Sequence, residues 1–271
     1  MATEYSIDDL RYLMSRLRDP QTGCPWDLKQ TYKSITAHTI EEVYEVVDAI
    51  ERDDTQHLSE ELGDLLFQII FYAQLGEEDN QFNFDTVVAK ITSKLLRRHP
   101  HVFPDGTLAS VRAADSVASE AEIKSNWEAI KKQERSGKGE SGALDDIPLA
   151  LPALSRALKL QKRAANTGFD WSQVDAVIAK VKEEIGELEI EIGRGNAEGI
   201  EDELGDLLFS CVNLARHLST DPEKALARSN RKFKRRFEAM EAAAGANKFS
   251  QLSLDEMESL WVQVKLSEPS C

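Results

Sequence analysis

A chain of 271 residues is long enough for two domains of ordinary size, and its 48 acidic against 33 basic side chains, a formal charge of −15, argue against a nucleic-acid surface as the main partner. With 41% apolar and 30% charged residues the composition is that of a folded globular protein and excludes a disordered chain. Cys24, Cys211 and Cys271, at unrelated spacings, make neither a disulfide framework nor a zinc site.

Along the chain, Met1 to Leu17 is charged and amphipathic, with no signal-peptide apolar region. Beyond Gly23-Cys24-Pro25-Trp26-Asp27, helical periodicity carries Glu41, Glu42 and Glu45, then the block Glu61-Leu62-Gly63-Asp64-Leu65-Leu66-Phe67. The longest apolar run, Leu65 to Leu75, is broken by Gln68 and Gln74 and falls far short of a membrane span. The expectation is a cytoplasmic protein with neither membrane nor nucleic-acid partner. A basic cluster, Lys94, Arg97 and Arg98, follows, with His99 and His101 flanking Pro100 in an expected turn. Pro104 to Ala121 is poor in large apolar residues and reads as an exposed connection to a helix bearing Trp127 and Lys131. Residues 1–135 thus form a first domain, 136–150 a linker that is Gly-, Ser- and Lys-rich at its start, and 151–271 a second domain.

The second domain repeats the first. Glu183, Glu184, Glu187, Glu203 and Asp206 stand 142 residues after Glu41, Glu42, Glu45, Glu61 and Asp64, and residues 203–209 copy 61–67 letter for letter. Val174, Val177, Ile178, Val181, Ile185, Leu188 and Ile192 form one helical stripe, and Ile200, Leu204, Leu207, Cys211 and Leu214 the next. Lys232, Arg235 and Arg236 match the earlier basic cluster, and Trp261 with Lys265 matches Trp127 with Lys131. With no sustained alternation and no hairpin dipeptide between apolar segments, the fold class is all-α, a tandem duplication of one helical unit. Broad apolar stripes on small helical units predict burial against a partner.

The duplicated acids carry the chemistry. On a helix, positions i and i+3 share a face, so Glu184 with Glu187, and Glu203 with Asp206, sit on the same shoulder of their apolar stripes. The Gly193-Arg194-Gly195-Asn196 turn lets those shoulders meet; Glu42, Glu45, Glu61 and Asp64 repeat the construction. Clustered carboxylates repel, and a bound cation removes that penalty. An oxygen-only set suits magnesium, with manganese as a substitute, and such a cation also admits a polyanionic substrate to an acidic protein. One Glu-x-x-Glu is ordinarily a solvated helix face; four acids flanking two stripes, duplicated in register, are not. No histidine stands three residues after a glutamate, which disfavours a di-iron carboxylate bundle. Gly63 and Gly205, each costing about 1 kcal/mol relative to Ala inside a helix, are expected to allow close backbone approach beside the site.

These acidic blocks, with Gly-Cys-Pro-Trp-Asp at 23–27, Arg-Arg-His-Pro-His-Val-Phe at 97–103, Ala-Leu-Asp-Asp-Ile-Pro at 143–148 and Lys-Phe-x-Arg-Arg-Phe at 232–237, resemble the all-α nucleoside triphosphate pyrophosphohydrolases of the MazG type. The resemblance implies magnesium-dependent hydrolysis of nucleoside triphosphates to monophosphate and pyrophosphate. It further implies a homodimer in which helical bundles form between copies and the carboxyl-terminal domain is the principal catalytic one. Glu184, Glu187, Glu203 and Asp206 are then the expected metal ligands, with Glu42, Glu45, Glu61 and Asp64 as a second possible metal site. Glu183 is expected to support the ligands or act as a base. Lys180, Lys232, Arg235 and Arg236 are expected on phosphate oxygens, and Trp261 with Lys265 on the nucleotide. Trp26, Trp127 and Trp171 are expected to pack, and His99 and His101 to make structural polar contacts. The other reading is a nucleotide-sensing module with structural metal sites; complete acidic sets favour an enzyme.

Overall fold

The computed structural model describes residues 4–113, 118–136 and 142–268, and the chain divides into two compact units, Met1–Gln133 and Glu134–Cys271. Every regular element among the described residues is helical. Residues 137–141 of the expected linker, 114–117 of the expected Pro104–Ala121 connection, and the side chain of Lys131 lie outside the described residues.

The first unit comprises α1 (Ile7–Leu17), α2 (Thr36–Glu51), α3 (Thr55–Glu78), α4 (Phe84–Arg98) and most of α5 (Glu120–Ser136). Local sequence fixes the starts. Ser6 with Asp9, and Asn83 with Thr86, form capping boxes, and the Asp54 side chain caps α3 through the His57 amide. α1, α2 and α4 pack on α3. Met14, Ile35, Ile70, Phe71 and Leu75 meet in the core. Arg18 crosses beneath it: the guanidinium donates to both Glu78 carboxylate oxygens, at 2.8 and 2.6 Å, and to the Asp27 carbonyl. Gly76 is required, since a Cβ there would stand 2.7 Å from the Phe82 carbonyl oxygen.

The second unit contains α6 (Ala153–Ala165), α7 (Val174–Arg194), α8 (Ala197–His217), α9 (Pro222–Ala244), the short α10 (Ala246–Phe249) and α11 (Leu254–Ser267). Gly195, at φ 64°, ends α7 in the left-handed region, and α8 returns along α7 after the two-residue turn. Asn196 Nδ2 donates to Glu191 Oε2 at 2.6 Å and pins that turn. α6 is fastened to α8 by Gln161 Nε2, which donates to the Phe209 carbonyl at 2.8 Å, and to α9 by the Ser155 amide on Glu223. Asp221 caps α9 with Pro222 in its first turn, and Ser253 with Glu256 forms the capping box of α11.

Three expectations are corrected. The apolar stripes do not form one buried face: Val177 is buried, but Ile178, Ile185, Ile192 and Leu204 are exposed, because Glu184 takes the inward place beside Ile185. Gly63 and Gly205 meet no close backbone within the chain, since a Cβ on either would find nothing within 4 Å. Trp26, Trp127 and Trp171 are not core residues; each stays at least 41% exposed. His99 does make a structural contact, its Nδ1 lying 2.7 Å from the Leu95 carbonyl.

Candidate active site

The carboxylates assemble from helix pairs. Glu184 stands two turns after Val177, so the inward face that buries Val177 also buries Glu184, which is 4% exposed. Glu187 is exposed and Glu203, on α8, is half-buried. One oxygen from each of these three lies within 4.8 Å of the others. The first unit builds the same trio from Glu42, Glu45 and Glu61, in which Glu61 of α3, not the residue on α2, is the buried member. Asp206 and Asp64 fall outside these trios, although Asp64 is near enough to act electrostatically on Glu42 and Glu61.

Electrostatics bear on what the trios can hold. Desolvation, then the hydrogen bond with Glu184 and the charge of Glu203, raises the Glu187 carboxyl above its ordinary value. Burial, then Asp64 and Glu45, raises Glu42 in the same way. Glu61 is also raised, chiefly by burial and against the pull of His57 at 2.9 Å. The chain therefore gathers ionised oxygens at a cost that a cation would relieve, and this all-oxygen donor set fits a hard divalent ion.

The two sites differ in their resident base. In the second unit Lys180 Nζ lies 2.7 Å from Glu184 and 2.9 Å from Glu183, and these bonds raise the Lys180 pKa far above its ordinary value. Glu183 is thus an exposed partner of Lys180, outside the trio. In the first unit His38 stands at the corresponding position, 3.6 Å from Glu41.

Beside the second trio lies a cavity of about 440 Å³, with Lys180, Glu184 and Asp206 on its wall. Phe169, Trp171, Asn213 and Arg216 also line it; none of them was singled out from the sequence as a site residue. The signal available was Gly168-Phe169-Asp170-Trp171, two aromatics in a turn without helical periodicity to bury them. Asp170 anchors that turn to α8: Arg216 Nη1 donates to Oδ2 at 2.9 Å, Nη2 donates to Oδ1, and His217 Nε2 is 3.0 Å from Oδ1. Arg216 first, then His217, holds the Asp170 carboxyl down at about 2.

The basic cluster makes its contacts elsewhere. Arg235 donates twice to Glu268 Oε1, at 3.1 and 2.6 Å, and Arg236 twice to Oε2, at 2.9 and 2.6 Å. Arg236, then Arg235, holds Glu268 at about 2. The Arg236 guanidinium lies over Trp261, 5.5 Å from the ring centre, and Phe233 packs on the same indole. Lys232 and Lys265 are exposed, and none of these residues lines the cavity.

Comparison with known proteins accounts for the duplication. The MazG nucleotide pyrophosphohydrolase domain matches twice, at residues 30–103 and 172–240, the second match opening directly after Trp171. The nucleoside triphosphate pyrophosphohydrolase of Escherichia coli K12 is 49% identical over 266 residues, 97% of this chain and 98% of that protein. The Thermotoga maritima protein named nucleoside triphosphate pyrophosphohydrolase/pyrophosphatase MazG is 38% identical over 96% of this chain and 95% of its own length. An uncharacterized Bacillus subtilis protein, YabN, is 43% identical over 97% of this chain, a region making up 52% of that longer protein. With both domain copies matched and relatives aligned from end to end, the chain is an enzyme of the MazG nucleotide pyrophosphohydrolase family.

Proposed function

We propose that the protein hydrolyses nucleoside triphosphates, ribo and deoxy, at the α-phosphorus to nucleoside monophosphate and pyrophosphate, and that the second unit carries the reaction. The observation that supports this most directly is the continuity of the second trio with a cavity of nucleoside size: Glu184 belongs to both. Such an activity, tolerant of the base, clears aberrant or surplus nucleotides from the pool.

Glu184, Glu187 and Glu203 would hold magnesium, or manganese in its place, with Asp206 completing the set from the cavity wall. When bound, the ion would neutralise phosphate oxygens and acidify water. The remaining work belongs to the chain. Lys180 keeps Glu183 and Glu184 ionised and places an ammonium where the cavity meets the trio. Arg235 and Arg236 would bind the β and γ oxygens once Glu268 gives way, since their present bidentate hold on a carboxylate is the geometry a phosphate needs. Trp261 then serves by covering Arg236. The exposed apolar residues of α2, α3, α7 and α8 suit a homodimer in which helices of two copies cover each other.

Product analysis on a nucleotide panel, with and without magnesium, tests this reading. Monophosphate plus pyrophosphate, formed only with metal, is the expected result. Diphosphate plus orthophosphate would refute cleavage at the α-phosphorus.

A further inference from the structure

The cavity of the second unit holds groups that the phosphate chemistry does not use. Phe169 is 75% and Trp171 42% exposed, with ring centroids 6.4 Å apart, so two large aromatic surfaces stand at the cavity wall without serving the core. Gln161, on the same wall, is 7% exposed. Its amide orientation is fixed, because the Phe209 carbonyl can only accept and therefore takes the Nε2 hydrogen at 2.8 Å. That leaves Gln161 Oε1 buried and without a hydrogen-bond partner. A buried acceptor left unpaired costs about 1–3 kcal/mol, so its presence in a cavity wall marks where a donor belongs.

We infer that this cavity is the nucleobase subsite of the enzyme, with the base stacking on Phe169 and Trp171 and an N–H on its edge donating to Gln161 Oε1. Gln161 is then a specificity-determining residue: it favours rings that present an N–H donor and disfavours rings that present none. The inference rests on the triphosphate reading above, since the phosphates are taken to run from the cavity toward Lys180 and the trio. Aromatic stacking tolerates any base, whereas a buried acceptor does not tolerate the loss of its donor. The first unit lacks this arrangement. At the register position of Asn213 it carries Phe71, a ring 1% exposed and packed into the core with Met14 and Ile35.

The test separates the base from the phosphates. Binding of adenosine 5′-(α,β-imido)triphosphate, which resists cleavage, is compared with binding of inorganic tripolyphosphate in the wild type and in Phe169→Ala. The expected result is about ten-fold tighter binding of the nucleotide, most of it lost in Phe169→Ala, whose exposed side chain the fold does not need. Gln161 is read from the ratio of kcat/KM for adenosine triphosphate over purine riboside triphosphate, which differs only in lacking the amine. That ratio should be about five-fold or more in the wild type and near unity in Gln161→Met. Equal affinity for nucleotide and tripolyphosphate, or a preference that survives Phe169→Ala, overturns the subsite. Base-dependent binding without pyrophosphate release would sink the proposed chemistry and leave the subsite standing.

Discussion

Replacing Asp170 by Asn tests whether the turn carrying Phe169 and Trp171 is held by charge. In the wild type the carboxylate accepts from Arg216 through both oxygens and lies 3.0 Å from His217 Nε2; Asn keeps the shape and removes the charge. The carboxyl is held at about 2 against an ordinary 3.8. At ~1.36 kcal/mol per unit this difference corresponds to roughly 2.5 kcal/mol. The Asp170 side chain is 28% exposed, and solvent screening reduces the contribution to about 1–1.5 kcal/mol. Because the folded pKa is depressed, that stability is fully present above pH 3.8 and is lost as the pH falls through the interval toward 2. Thermal unfolding of wild type and Asp170→Asn, followed by circular dichroism across pH, should show the variant lower by roughly 2–5 °C at neutral pH. The gap should hold down to about pH 4 and close as the pH approaches 2. The same variant should raise KM for adenosine triphosphate, since the aromatic wall loses its anchor. A gap of equal size at about pH 6 and about pH 2.5 would refute the electrostatic account.

Other consequences follow from the same geometry. Glu203→Ala should abolish turnover while leaving the circular dichroism spectrum intact, and Glu61→Ala should leave most of it; the reverse pattern would move catalysis to the first unit. Glu268→Ala frees Arg235 and Arg236 and should lower KM for triphosphates about two- to five-fold at low ionic strength, an effect salt should erase. An unchanged KM would show that the basic pair does not meet substrate. Gly205→Ala fills open space inside α8 and should stabilise the protein by about 1 kcal/mol in urea denaturation. Destabilisation accompanied by dissociation of a dimer would instead place a second copy's backbone against Gly205.

What was legible in the sequence and what was not divide along sequence distance. Helix starts at Ser6, Asn83 and Ser253 need only the residues three positions on, and the joining of Glu184 to Glu187 needs only a period of 3.6. The pairing of α7 with α8 followed from a short glycine turn, so Glu203 could be placed beside that pair from local rules as well. The cavity was not legible, because Leu144, Gln161, Trp171 and Asn213 come from segments whose approach no local period encodes. Trp171 read as a packing residue for that reason: a tryptophan near an amphipathic helix is ordinarily in the core, and only the fold shows it at a cavity wall. The partner of Arg235 and Arg236 was hidden in the same way, since Glu268 lies on the far side of another helix in the chain order.

Duplication copied the acids more faithfully than it copied their surroundings, and that difference argues for a division of labour between the units. Both copies keep three carboxylate oxygens within 4.8 Å of one another, so selection for an acidic trio cannot by itself separate them. What separates them is the neighbour of the trio. Where the second unit sets Lys180 on Glu184, the first has His38 at the matching position, and where the second sets Asn213 at a cavity wall, the first buries Phe71 in its core. Phe71 is 1% exposed among close-packed neighbours, so removing its ring would open a void in that core at a cost of about 3–5 kcal/mol. The first unit is therefore committed to packing at the place where the second keeps open volume, and a nucleoside can be accommodated in the second without dismantling anything. Phe71→Asn should accordingly unfold or severely destabilise the first unit without creating turnover there, whereas Asn213→Phe should fill the second unit's cavity and raise KM for nucleotides while leaving the affinity for tripolyphosphate near its wild-type value. If Asn213→Phe left both unchanged, open volume beside the trio would not be what distinguishes the two copies.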